Sequence, residues 1–494
     1  MTVPTGRGRW LALTAALLGW MFDGMEMGLF PLVARSALGE LLGPTASEHD
    51  QALWYGIVTA AFLIGAATGG VLFGWLGDKI GRIRAMTASI LLYSLSSGLS
   101  AMSAEPWQLA ALRFLGALGM GGEWALGVAL VMELWPNASR AWLAGFIGAF
   151  GNLGYTVCGG VALLLIEIGP KLSGHLESVG IPSDLASTLT ANGNWRLLLL
   201  MGALPAMLTM LIRLFVPESE KWQKEKESGA ASHWATKDLI GVLIGAIIAG
   251  GVVSLWAIKD IPMPVRFLGS FVGLIGVSLG YLYPAWSYLS RAGLPEEERR
   301  QTLGRMLLGA GLSGVPLLAT WGGVMWMYQW VGKLPDGNVP EARPIIQIAS
   351  SLGAAAGCVI GAVLGGIFGR RLVYAGLCIL SMITVVGFYQ LNTHYGTTFI
   401  ASAGLMGMVT AAFYGWLPLY LPELFKTAVR ATGQGFGFNF GRIIAAAGNL
   451  QMSALMAFFN DDYAKACAVV PLVYAVGLIL IAFSPETKGK PLPE

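Results

Sequence analysis

The chain has 494 residues, 55% hydrophobic and only 12% charged, with a mean hydropathy of +0.65 and a net charge of +3. Soluble domains carry about 25% charged residues, so this chain cannot coat a soluble body of its size. The small basic excess, without a long basic tract, excludes a nucleic-acid partner, and long apolar runs without a low-complexity period exclude fibrous and disordered classes.

A helix needs about 20 apolar residues to cross ~30 Å of hydrocarbon. The first such run, 10–34, follows Arg7 and Arg9 and so imitates a secretory leader. It continues past Gly19 to Pro31 and holds Asp23 and Glu26, which predicts a retained helix. Further spans are predicted at 53–76, 85–103, 108–134, 141–167 and 195–216. After a charged linker, 217–238, come a pair at 239–258 and 265–289, then 303–330, 345–368, 372–390, 397–421, 434–459 and 466–484. That makes fourteen spans and an all-α membrane protein. The longest loop on the side opposite the N-terminus is expected at about 169–194. Loops on the N-terminal side hold twenty Lys and Arg residues against eight on the other, which predicts cytoplasmic N- and C-termini. The 68 glycines and 17 tryptophans suit close helix packing and interfacial anchors. Cys158, Cys358, Cys378 and Cys467 lie in or beside apolar segments at no ligand spacing and read as small core residues.

An internal repeat organises these spans. Glu133-Leu134-Trp135-Pro136-Asn137-Ala138-Ser139-Arg140 matches Glu423-Leu424-Phe425-Lys426-Thr427-Ala428-Val429-Arg430. Pro217-Glu218-Ser219 matches Pro485-Glu486-Thr487, and Gly74 to Arg82 has a worn copy at Ala362 to Arg371, where Gly366 replaces the acidic residue. The expected domains are a six-helix bundle at 1–216, a linker with two additional transmembrane helices at 217–302, and a second six-helix bundle at 303–494. Parallel repeats of this kind place a transport site between the halves.

These motifs resemble the major facilitator superfamily over essentially the whole chain. Gly74 to Arg82 resembles its loop signature between helices two and three. Arg113 with Gly116, Glu133 to Arg140, Pro217-Glu218-Ser219 and Pro485 to Gly489 resemble the sugar porters. Asp23-Gly24-Met25-Glu26 and Gly119 to Trp124 are closer to organic-anion proton symporters, which include sialate, lactate/pyruvate and aromatic-acid branches, and Phe438 to Arg442 with the fourteen-span layout resembles the sialate branch most. The resemblance implies a major facilitator fold and alternating access.

Charges at bilayer depth cost at least about 2.5–3.5 kcal/mol each, so they face a cavity or a partner. Asp23 lies about 20 Å from the inner face and Arg113 about 9 Å below the outer one, depths that coincide. They are expected to pair, either as the proton-coupling pair that the resemblance implies or as a fixed structural one. Glu26, on the same helical face as Asp23, is a second proton site, a wall of the outer vestibule or an interfacial carboxylate. Glu123, placed near the inner boundary, is expected to meet cytoplasmic basic residues in a gating role. Arg442, with Asn439 on nearly the same face, is the expected ligand for an anionic substrate, the alternative being a gate charge. Asn152, Tyr155, Tyr328 and Gln329 supply neutral hydrogen bonds to substrate or serve as helix-packing glue. Trp321, Trp326, Tyr328 and Trp330 form an interfacial belt or a lid. Asp78 with Arg82, Glu133 with Arg140, and Glu423 with Arg430 are expected to form gating salt bridges at the cytoplasmic end.

Gly116, Gly119, Gly121 and Gly122 sit in an apolar helix with no preceding strand, which disfavours a nucleotide loop. Without a catalytic triad, metal cluster or ATP motif, neither an enzyme nor an ATP-driven pump is expected, and no cofactor. The expected function is proton-coupled symport of a small organic anion, of sialic or monocarboxylic acid type, by a monomer in the plasma (inner) membrane. The alternatives are a sugar porter, against which Arg442 argues, and a non-transporting substrate sensor.

Overall fold

The computed structural model describes residues 6–46, 48–135, 140–205, 218–258, 261–460 and 462–493. Its helices are α1 (Gly6–Leu42), α2 (Glu48–Ile80), α3 (Arg82–Ser100), α4 (Pro106–Leu134), α5 (Arg140–Ser178), α6 (Ser183–Leu200) and the short α7 (Glu220–Glu227). Then come α8 (Leu239–Ala257), α9 (Met263–Arg291), α10 (Glu296–Gly322), α11 (Ala342–Phe368), α12 (Arg370–Leu391) and α13 (Thr397–Tyr420). The chain closes with α14 (Arg430–Asn439), α15 (Gly441–Phe458), α16 (Tyr463–Val469) and α17 (Val473–Ala482). Among the described residues, eleven segments are long and apolar enough to span a membrane.

The three remaining expected spans differ for identifiable reasons. The 85–103 segment is helical within α3, but Ser89, Ser94, Ser96, Ser97 and Ser100 lower its hydropathy, and all five are buried against neighbours. The 195–216 segment is described only to residue 205, so its end and the boundary expected at 216–217 lie outside the described residues. The 434–459 segment divides at Asn439–Phe440 into α14 and α15, where the Ile443 amide bonds to the Phe440 carbonyl instead of the residue before it. The expected 303–330 span also breaks, at Gly322–Gly323, and continues as short helical turns to Lys333. The expected 169–194 loop is largely helix, since α5 runs to Ser178 and α6 starts at Ser183. Hydropathy detects only the part of a helix that matches membrane thickness, not its polar extension.

The two repeats pack in parallel ways. A Cβ on Gly69 of α2 would overlap the Leu118 carbonyl of α4, and one on Gly357 of α11 would overlap the Met408 carbonyl of α13. Both pairs thus approach closely through backbone, the small-residue packing that helices use in lipid. Gly81 (φ 110°) and Gly369 (φ 99°) hold left-handed turns just before α3 and α12. There Glu218 accepts from the Arg82 and Ile83 amides (3.0 and 3.2 Å), and Glu486 from the Arg370 and Arg371 amides (3.1 Å each). Each carboxylate so caps a helix start whose amides lack partners in the helix. Burial raises the Glu218 carboxyl above its usual range despite these bonds. At Glu486 burial acts in the same direction, but amides from Arg370, Arg371, Lys488 and Thr487 outweigh it and hold the carboxyl low.

The additional pair α8–α9 is pinned to the bundle by the Tyr281 hydroxyl, 2.7 Å from Thr68 of α2. Its outer faces present Ile247, Phe271 and Leu279, each about two-thirds exposed, as expected of a lipid-facing surface. The four cysteines are buried as free thiols.

Candidate functional site

A cavity of about 150 Å³ lies between the repeats, walled by α1, α4 and α5 on one side and by α10, α11, α13 and α14–α15 on the other. Asp23, Asn152, Tyr155, Tyr328 and Arg442 line it, together with Trp20, Trp124, Trp321, Tyr414 and Phe438. Arg442 is only 4% exposed, yet its Nε and Nη1 have no hydrogen-bond partner, and its guanidinium lies 5.5 Å over the Phe438 ring. Asp23 faces it closely enough for the two charges to interact. The other Asp23 neighbour is Glu123, in hydrogen-bonding contact.

The Asp23–Arg113 pairing expected from depth is therefore corrected. Arg113 instead pairs with Glu26, whose second carboxylate oxygen accepts from Ser97. Glu26 and Arg113 are each 2% exposed, and the guanidinium lies 4.7 Å over Phe62 and 5.4 Å over Phe30. Asp23 and Glu26 differ by one helical turn, less than the depth estimate resolves, and the turn sends Glu26 to α4 and Asp23 to the cavity. Glu123 is also corrected: it lies beside Asp23, behind the cavity wall and not among basic residues at a helix end, because α4 carries it inward against α1 at Gly19.

Asn439 does not line the cavity. Its Nδ2 donates to the Gly121 carbonyl at 3.1 Å and to Gly435 at 3.2 Å, which joins α14 to α4 across the repeats. Three residues turn a helix about 300°, enough to point Asn439 at α4 while Arg442 reaches the cavity. Gln329 likewise stands off the cavity wall, in the short turns that follow α10. Asn152 lines it, but its amide donates to the Gly148 carbonyl at 2.9 Å. Trp321 lies between the cavity and a small void beside Arg113, whereas Trp330 packs on Phe388, Tyr389 and Phe399 as core.

Sequence reasoning missed Tyr414, Thr320, Trp20 and the Trp124–Phe438 pair, whose rings stack at 3.7 Å across the repeats. A phenol in the middle of the 397–421 span was the available signal for Tyr414. The stacked pair had none, since its partners are 314 positions apart in sequence.

At the end of the bundle that carries Asp78, the ion pairs exchange partners relative to expectation. Glu133 binds Arg430 (3.0 Å) and Arg82 (3.3 Å), and Glu423 binds Arg140 (3.2 Å) and Arg370 (2.6 Å). Each repeated Glu thus takes the repeated Arg of the other half, because residues seven apart on one chain diverge where the helix ends. Residues 136–139 of this motif lie outside the described residues. Asp78 holds Arg82 at 2.7 Å and accepts from the Thr432 amide and hydroxyl at 2.8 and 2.6 Å. Gly366 takes the matching place in the second half, where α5 packs against it at Ala141. Ser219 and Thr487, beside the two capping glutamates, donate to Glu133 and Glu423 respectively.

A bundle of membrane-length helices in two repeats, enclosing opposite charges in a central cavity and shut at one end by ion pairs between the repeats, is a multi-pass membrane transporter. Its sequence matches the family model described as Sugar (and other) transporter over residues 11–256 and 338–494, and the chain belongs to that family. It is 26% identical to a putative metabolite transport protein of Haemophilus influenzae, covering 100% of both chains. It is 22% identical to the niacin transporter NiaP of Acinetobacter baylyi over 99% of this chain and 97% of that one. A shorter match, 29% identical over 44% of this chain and 45% of the other, is to the sialic acid transporter NanX of Escherichia coli. Among solved structures, the proton:xylose symporter XylE of the major facilitator superfamily superposes with a TM-score of 0.67 at 18% identity, covering 98% of each chain. The protein is a major facilitator transporter, and its fold is that of the superfamily.

Proposed function

We propose that this transporter carries a small organic anion together with protons, with the Asp78 end facing the cytoplasm and a single chain forming the whole path in the plasma membrane. The observation that carries the reading is Arg442, a buried cation at the cavity wall with two guanidinium nitrogens lacking a protein partner. A buried cation without full pairing is costly, and an anionic ligand removes that cost. The relatives named for niacin and sialic acid support the anion.

Coupling follows from the carboxyl pair. A hydrogen bond between two carboxyl groups requires a proton between them, so Asp23 and Glu123 form a proton store open to the cavity. A proton there removes the charge that competes for Arg442 and frees the guanidinium for the substrate carboxylate. Loss of the proton returns Asp23 to Arg442 and expels the anion. The Glu26–Arg113 pair, outside the cavity lining, fixes α1 to α4 through the cycle.

Uptake into proteoliposomes under an imposed pH gradient tests this. Inward proton flow should drive organic-acid accumulation above its equilibrium value, and Arg442→Gln should lower apparent affinity at least about tenfold, as expected for loss of a charged hydrogen bond. Unchanged affinity in that variant would remove the ligand role.

A further inference from the structure

We infer that the protein has a second anion site, outside the central cavity, in a recess where α1, α5 and α6 meet the start of α11. It takes a hydroxylated anion, a carboxylate or phosphate group with a hydroxyl beside it, bound between Arg343 and Asn194.

The recess has a volume of about 520 Å³ and lies at the end of the bundle away from Asp78. The first repeat supplies Ser36, Ile166, Thr190 and Asn194, and Arg343 reaches it from the first turn of α11 in the second. It shares no lining residue with the central cavity. Arg343 spends only its Nε inside the protein, on the Tyr328 carbonyl at 3.0 Å, which leaves both terminal nitrogens of the fork for a ligand.

The charge that acts on Arg343 is another cation, Arg35 of α1. Two like charges side by side repel, and an anion between them turns that repulsion into two attractions. Among the described residues no carboxylate lines the recess. Glu40, one turn beyond Ser36, is already taken by Arg196 and Trp195 at 2.7 Å and by Asn192 at 2.8 Å. Glu167 and Glu341 are exposed and pair with neither arginine. A free guanidinium fork without an acid partner matches the paired oxygens of a carboxylate or phosphate.

Asn194 supplies the second half of the class. It is 6% exposed, its Nδ2 reaches the Leu165 carbonyl at 3.4 Å, and its Oδ1 has no partner. A buried acceptor left unpaired is costly, so a ligand that brings an O–H is preferred over one with an anionic group alone.

The test needs no transported substrate and so does not depend on what the central cavity carries. Thr190→Cys is placed in the full chain in phosphatidylcholine proteoliposomes, with the wild-type chain as control for its four buried thiols. An anionic methanethiosulfonate should modify the introduced thiol faster than a cationic one. Arg343→Gln should lower the ratio of the two rates about fivefold, the effect of one unit charge at about 4 Å in water. Gluconate should protect the thiol against chloride of equal ionic strength. Butyrate, which has no hydroxyl, should protect at least about fivefold less well, the scale of one neutral hydrogen bond. Asn194→Gly, which suits the left-handed backbone there (φ 60°), should erase that preference and keep the reagent ratio.

Protection by gluconate assigns the site to a solute. Protection only when phosphatidylglycerol is added to the vesicles assigns it to a lipid headgroup, whose phosphate and glycerol hydroxyls carry the same chemistry. Arg442→Gln should leave protection intact; its loss there would place the anion in the central cavity and overturn the second site. An unchanged reagent ratio in Arg343→Gln, or no protection by either anion, would overturn it as well. Equal protection by gluconate and butyrate would overturn the hydroxylated class.

Discussion

Five buried charges, Asp23, Glu26, Arg113, Glu123 and Arg442, were conspicuous in the sequence because each is expensive at bilayer depth. Their existence was legible, but their pairing was not. Asp23 and Glu26 are a single helical turn apart, so which one meets Arg113 depends on the rotation of α1 against α4, and no span boundary fixes that to one turn. The division of labour yields opposite predictions for neighbouring carboxylates. Glu26→Gln strands Arg113 in a closed site, and breaking a buried pair costs about 3–5 kcal/mol. The variant should show a markedly lower melting temperature in detergent, and its folded fraction should still couple protons. Asp23→Asn should melt close to the wild type and exchange substrate in counterflow assays, yet fail to accumulate it under a pH gradient. Normal accumulation by Asp23→Asn would remove that residue from coupling.

The helices themselves were mostly readable from apolar length, and the misses share a cause. Apolar length found even the serine-rich α3, but it runs across breaks such as Asn439–Phe440 and Gly322–Gly323 and stops short of polar extensions such as the end of α5. The repeated Pro-Glu-Ser and Pro-Glu-Thr signals were visible as text, but their work as caps on α3 and α12 needed the fold. That work makes a pH prediction. The Glu486 carboxyl is held low, so its stabilising effect is complete above the ordinary carboxylate range and disappears as pH falls through the folded-state value. Glu486→Gln should therefore cost about 1 kcal/mol of stability at neutral pH, as for other lost caps, read as a lower melting temperature. The gap to wild type should shrink on acidification, and a constant gap would show that the charge contributes nothing.

At the scale of the whole molecule, the two halves are held shut at the Asp78 end by bonds that cross between them. The spacing of the Glu and Arg residues pointed to this cluster, but exchange of partners between halves is invisible to any local pattern. The segment after Thr487 joins the closure. The Lys490 carbonyl accepts from Arg140 at 2.8 Å, the Pro493 carbonyl from Arg430 at 2.6 Å, and Leu492 is buried beside Leu13, Val131, Ala362 and Leu419 from both halves. Leu492→Asp should therefore favour opening at this end, read as longer spin-label distances between Lys79 and Lys426 positions. An unchanged distance distribution would mean that the segment rests on the gate without holding it.

Proton-driven uptake in proteoliposomes measures the central claim most directly. An inward proton gradient should drive wild-type protein to concentrate labelled organic acid several-fold, and Asp23→Asn should only equilibrate it. Equal final levels with and without the gradient in the wild type would contradict the account.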